Sequence, residues 1–207
     1  DHRRLDYLFY THLHSDHIGD LVPLLNAQRI TPGFSRQRSL CIYAPRGFRR
    51  FFETMVQAYG HWLADAEFAF SIVELWEDRV VIEGGRHAWC FQSLPMNHSN
   101  CIGYRIESAG ASLAYSGDTD QCENIIDLAR QVDVLVLECS FHDDEKVVGH
   151  LTPAQAGAIA NTAKCRTLLL THFYPNTDPE ACVAQCANLC DAEVMAAYDG
   201  MHLRIGG

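Results

Sequence analysis

Short apolar runs broken by polar punctuation set the first picture of the chain. Leu5–Tyr10 (LDYLFY) reads as a buried strand, and the polar run Thr11–His17 as the loop that ends it. Ile18–Arg29 reads as a helix, Ser39–Ala44 as a strand and Gly47–Tyr59 as a second helix. Strands are predicted over Phe70–Trp76, Arg79–Glu83 and Ala88–Leu94. Ile102–Glu107 and Ser112–Tyr115 read as a hairpin with Gly110 in its turn. Helix Asn124–Gln131, strand Val132–Leu137, helix Pro153–Ala163, strand Thr167–Leu170, helix Asp178–Leu189 and strand Glu193–Ala197 complete the pattern. There is no internal repeat, linker or low-complexity stretch. Strands alternating with helices in the second half predict a layered α/β fold.

Several of the apolar strands end on residues that can bind metal. His12 and His14 follow LDYLFY, Asp118 follows LAYSG, Glu138 follows VLVL and His172 follows LLLT. In layered α/β folds ligands collect at the carboxyl ends of strands. Four such coincidences point to one site.

The composition narrows the classes. The chain has 207 residues, 48% of them hydrophobic and 20% charged, which excludes disorder, collagen and coiled coil. No run approaches the ~18 apolar residues of a spanning helix, so no membrane partner is expected. Nine cysteines, an odd number without a C-x-x-C pair, suggest a reducing, cytoplasmic setting rather than a disulfide framework. Cys182, Cys186 and Cys190 recur every four residues and read as a core-facing helical stripe. The net charge is −10, yet the six arginines between Leu21 and Phe52 have no acid among them. Arg46, Arg49 and Arg50 flank a predicted helix start there and are candidates for phosphate contacts. Strong global acidity argues against a dedicated nucleic-acid coat protein.

The sharpest chemical signal is His12-Leu13-His14-Ser15-Asp16-His17. Imidazole nitrogens and a carboxylate are zinc donors, binding at ~2.0–2.2 Å. Three histidines and an aspartate in six positions cannot easily all serve one ion, so two adjacent metals are expected. Further on, Thr152-Pro153-Ala154-Gln155 fits a capping box with proline at the first helical position. It fixes the chain two residues after His150, and a helix N-terminus favours a bound phosphate. His150 is therefore a candidate general acid, with Glu138 to hold it.

HLHSDH resembles the H-x-H-x-D-H motif of the metallo-β-lactamase superfamily. His98 in NHSNCIGYRI, Asp118 in SGDTD and His172 in LLLTHF match the later motifs in order. Within the superfamily the chain is most similar to ribonuclease Z-like phosphodiesterases, whose further histidine before a helix is matched by His150 in GHLTPAQA and whose glutamate is matched by Glu138 in LECSF.

The resemblance implies an αββα sandwich formed by residues 1–207 as a single domain. It implies His12, His14 and His98 on one metal, Asp16, His17 and His172 on a second, and Asp118 bridging. The metals would be zinc, with manganese or iron as alternatives. A hydroxide shared between them would attack a phosphodiester, with Asp16 orienting it and His150 protonating the leaving oxygen. The implied partner is a phosphodiester, small or RNA; a homodimer is also compatible. Two departures matter. The strands that usually precede H-x-H-x-D-H are absent, so the sequence reads as N-terminally incomplete. Only nineteen residues separate His98 from Asp118, room for a hairpin but not for the protruding arm of enzymes that process transfer RNA. The competing readings are an ester, thioester or lactone hydrolase and a non-enzymatic metal-bound scaffold. The first is weakened because His98 does not lie in a G-H-T-x-G motif, the second because all seven ligands and His150 are present. A flavin-linked redox relative is disfavoured by His14, where such sites usually carry glutamate.

Overall fold

Parallel pairing of three early strands and a separate run of seven later ones organise the computed structural model, which describes residues 1–35, 38–64, 70–82 and 88–206. Arg36, Glu83 at the end of a predicted strand, and His87 lie outside the described residues. The chain divides into two compact units, Asp1–Trp76 and Glu77–Gly207.

In the first unit, strands β1 (Tyr7–Phe9), β2 (Leu40–Pro45) and β3 (Phe70–Leu75) form a parallel sheet in that order. The opening strand is shorter and less buried than its apolar run predicts. Among the described residues it pairs with β2 alone, and Tyr7 is exposed. The same unit contains the helices α1 (Ser15–Ile18), α2 (Leu21–Ile30) and α3 (Phe48–Tyr59). The predicted loop over Thr11–His17 and helix over Ile18–Arg29 are both corrected. The loop already contains the one-turn α1, and Gly19-Asp20 separates it from α2. Pro23 explains the break, since in one continuous helix its ring would collide with the Gly19 carbonyl and its nitrogen could not donate. Restarting at Leu21 puts Pro23 in the first turn, where no donor is needed. Leu21, Leu25, Leu40, Ile42, Phe48 and Phe52 form this unit's core.

The second unit carries a mixed sheet in the order β10-β9-β8-β7-β6-β5-β4, built from β4 (Asp78–Ile82), β5 (Trp89–Pro95), β6 (Ile102–Ser108), β7 (Ala111–Tyr115), β8 (Val134–Glu138), β9 (Thr167–Thr171) and β10 (Glu193–Ala196). Strands β4 to β7 pair antiparallel and β7 to β10 parallel. The β6–β7 hairpin turns on Ala109 and Gly110, both at positive φ (50° and 82°), the geometry that two-residue hairpin loops prefer. Helices α4 (Glu123–Ala129), α5 (Pro153–Ala163) and α6 (Pro179–Ala187) follow the strands as predicted.

Register carries the core to the site. Leu135 stands opposite Leu168 and Leu137 opposite Leu170, all four fully buried with Ile159 and Ala160 of α5 in the same cluster. Each such leucine contributes roughly 1.5–3 kcal/mol relative to exposure. The next pair in the same register is Glu138 and Thr171, so Glu138 and His172 emerge side by side at the strand ends. Cys182 and Cys186 are buried in this core with Cys190 packed against it, as the helical stripe predicts.

Candidate metal-ligand clusters

Each unit gathers its own donor set. In the first, the chain leaves β1 and closes α1, with His14 as its N-cap residue. The ring centroids of His12 and His14 are 4.5 Å apart, and those of His12 and His17 are 4.1 Å apart. Asp16 Oδ2 lies 3.3 Å from His17 Nε2. His12 is buried, with Nδ1 against Thr11 Oγ1 at 3.1 Å, whereas His14 and Asp16 are exposed. The short turn of helix brings His17 back over His12, which an extended loop would not do.

In the second unit, one donor atom each from Asp118, His150 and His172 lies within 4.8 Å of the others. Asp118 follows β7 and is buried; its Oδ1 is 3.5 Å from His172 Nε2. His172 turns off β9 with φ +61°, a left-handed conformation uncommon outside glycine and met at functional sites. The His98 ring is centred 5.2 Å from that of His150.

Hydrogen bonds decide which nitrogen each ring presents. His98 Nδ1 faces the Gly149 carbonyl at 3.0 Å, and a carbonyl only accepts, so Nδ1 carries the proton and Nε2 the lone pair. Gly149 is required there: its φ is +93°, and a Cβ would come within 2.7 Å of His98 Nδ1. Ser140 Oγ donates to Glu138 Oε2 at 2.6 Å, so it accepts from His172 Nδ1 at 2.8 Å, again leaving Nε2 as the donor atom. Neutral imidazoles oriented this way, beside carboxylates, are the donor chemistry of zinc, manganese or iron sites, and the residues present fit such an ion.

His150 differs. Its Nδ1 lies 3.2 and 3.3 Å from the two oxygens of Glu138. That hydrogen bond, with the charges of Glu138 and Asp118, raises its pKa against the lowering effects of burial and Lys146. An imidazole held toward its protonated form is a poor ligand and has a proton to deliver. Glu138 is buried and satisfied on both oxygens: Thr119 N–H donates to Oε1 at 2.6 Å, and Leu151 N–H to Oε2 at 3.0 Å. Thr152 N–H donates to Gln155 Oε1 at 3.2 Å within the predicted capping box, which anchors the chain after His150.

The arginines lie in the first unit. All three are exposed; Arg46 stacks over Trp76 with its guanidinium carbon 5.5 Å from the ring centroid, Arg49 donates to the Ile72 carbonyl, and Arg50 lies on α3. Two residues of the second unit were not singled out from sequence. Ser140 sits two positions beyond Glu138 at the strand end, and Asp120 two positions beyond Asp118. Short polar residues at that offset were the available signal, but the partners that give them meaning lie 10 to 32 residues away.

Comparison with known proteins agrees with the motifs. The sequence model of the β-lactamase superfamily domain matches residues 1–173. An uncharacterised protein of Mycobacterium tuberculosis is 33% identical, over 92% of this chain and 70% of its own length. Ribonuclease BN of Citrobacter koseri is 26% identical, over 93% of this chain and 79% of its own. The crystal structure of the metallo-β-lactamase fold protein YhfI from Bacillus subtilis superposes with a TM-score of 0.80 at 23% identity, covering 97% of this chain and 77% of that one.

Proposed function

The chain belongs to the metallo-β-lactamase superfamily, ribonuclease Z-like within it, and on that premise we propose a metal-dependent hydrolase that cleaves phosphodiester bonds. The observation that carries this reading is His150, held by a buried carboxylate next to Asp118 and His172. A phosphodiester with an alkoxide leaving group needs both a charge sink and a proton donor, and this arrangement supplies the second beside donors suited to the first. The ribonuclease BN relative supports the phosphodiester bond as the target.

In this reading His12, His14, Asp16, His17, His98, Asp118 and His172 would hold the divalent ions, as the family pattern has it. When bound, divalent ions supply a water of lowered pKa and offset charge on the phosphoryl oxygens. The chain's own residues do the rest. His98 and His172 present fixed Nε2 lone pairs, because the Gly149 carbonyl and Ser140 settle their tautomers. Glu138 orients His150, which keeps a proton on Nε2 and delivers it to the departing oxygen. Asp16, exposed in the first unit, is assigned to orient the attacking water. Arg50 would contact the phosphates of a longer substrate. Residues 1–207 act as one metallo-β-lactamase-fold domain, and the setting we propose is cytoplasmic.

Elemental analysis of chain purified without chelator, together with a panel of phosphodiesters, thioesters and lactones, tests the proposal. About two equivalents of zinc, manganese or iron and turnover of phosphodiesters are expected. Folded protein with reproducibly no metal would overturn the metallohydrolase reading. A metal-loaded chain that cleaves only thioesters or lactones would overturn the choice of bond.

A further inference from the structure

We propose that Asp120, clasped by Lys146, is a positioning residue that aims both His98 and His150; this rests on the roles proposed for those two histidines. Asp120 reaches three separate segments at once. Its Oδ2 accepts from Lys146 Nζ at 2.8 Å and from Gly149 N–H at 3.0 Å. Its Oδ1 accepts from Gln121 N–H at 2.8 Å and from Gln155 Nε2 at 3.3 Å, in the first turn of α5. Its own N–H donates to the Asn97 carbonyl at 3.0 Å, one residue before His98.

The Gly149 peptide is the point of leverage. Asp120 holds its N–H side, and its carbonyl takes the Nδ1 proton of His98. The next residue is His150, whose own carbonyl accepts from Lys146 Nζ. One carboxylate and one ammonium thus set the peptide that settles the His98 tautomer and the residue that carries the acid. The ion pair is partly shielded, with side chains 16% exposed for Asp120 and 29% for Lys146. Bonds of this kind are stronger than neutral ones and weaken less with salt than exposed pairs do. No metal ligand is needed for the clasp to act, because every bond in it is between protein groups.

Two readouts test it on the full chain. The first needs no activity: nitrogen-15 spectra of the histidine side chains in metal-free protein. In the parent chain His98 should show a single tautomer protonated at Nδ1, and Asp120→Ala should turn it into a mixture of both. The second uses zinc-loaded protein and two substrates, a dinucleotide with an alkoxide leaving group and a bis-nitrophenyl phosphodiester. Asp120→Ala should lower kcat on the dinucleotide roughly 10- to 100-fold, the scale of a small misplacement of a catalytic group. KM should hold, and the loss on the activated diester should be markedly smaller. Lys146→Met should act in the same direction, and Lys146→Arg should restore most of the rate. Asp120→Asn, which keeps an oxygen for Gly149 N–H, should fall between parent and alanine, and it serves if Asp120→Ala does not fold. An unchanged His98 tautomer in the aspartate variants overturns the proposal, whatever the chain hydrolyses. So does an equal loss on both substrates. Failure of the parent chain on every phosphodiester would instead count against the proposed function and leave the spectral result to decide on the clasp.

Discussion

Ser140 Oγ stands 2.8 Å from His172 Nδ1 while donating its own proton to Glu138 at 2.6 Å. The same carboxylate holds His150 at 3.2 Å. One buried acid therefore orients a candidate ligand through a hydroxyl and the candidate proton donor directly. Each bond fixes a ring nitrogen, and the two rings stack with centroids 5.6 Å apart.

Removing that hydroxyl should weaken metal binding before it weakens the fold. Ser140→Ala frees His172 to rotate and change tautomer, and losses of a hydrogen-bond partner behind a ligand typically cost ~10–100-fold in metal affinity. Competition with a chromophoric chelator measures this. Ser140→Thr keeps the hydroxyl and should stay near the parent value; identical affinities for Ser140→Ala and the parent would show that Ser140 does not support His172 as a ligand.

Loss of the acid should depend on what leaves. His150→Ala should retain metal and lose ~10²–10⁴ in kcat on a dinucleotide. A nitrophenolate departs without much help from a proton, so its rate should fall far less. Parallel losses on the two substrates would show that His150 does not protonate the leaving group.

The pH profile follows from the same pair. The hydrogen bond to Glu138 raises the pKa of His150, Asp118 adds to it, and burial and Lys146 oppose it. A general acid works while protonated, so the rate on a poor leaving group should fall as pH rises through that raised pKa. Glu138→Gln removes the largest raising cause and should move the basic limb to lower pH. The stability linkage has the same sign. In metal-free chain the bond stabilises the fold fully below the unfolded histidine pKa, and the contribution is lost as pH rises through the folded one. A basic limb that stays in place in Glu138→Gln would break the assignment.

The arginines separate by their local partners. Arg49 donates to Ile72 in its own unit and Arg46 lies over Trp76, so their removal should first disturb packing. Arg50 is exposed like the other two, and Arg50→Ala should raise KM for oligonucleotides while leaving a small nitrophenyl diester unaffected. The log–log salt dependence should flatten by about one unit for each phosphate interaction removed. An unchanged slope on every long substrate would make Arg50 a solubilising residue.

Most of what is encoded locally was legible in the sequence. Apolar runs of strand length, the turn at Gly110 and the Thr152–Gln155 cap each carry their instruction within a few residues, and the structure follows them closely except at the shortened opening strand. The dense H-x-H-x-D-H cluster belongs to the same class, because ligand chemistry is a property of residue type. The break at Gly19-Asp20 was also available there, in the steric demand of Pro23. Tertiary structure alone settled which nitrogen His98 and His172 present, and why Ser140 and Asp120 matter. Those outcomes depend on bonds between residues 51, 32 and 29 positions apart. No local propensity reports such pairings, because a hydroxyl or carboxylate has the same intrinsic preferences whether its partner is water or a histidine. Only the register of β8 on β9, set by buried leucines, brings Glu138 and His172 out at the same edge and turns two ordinary polar residues into parts of a site.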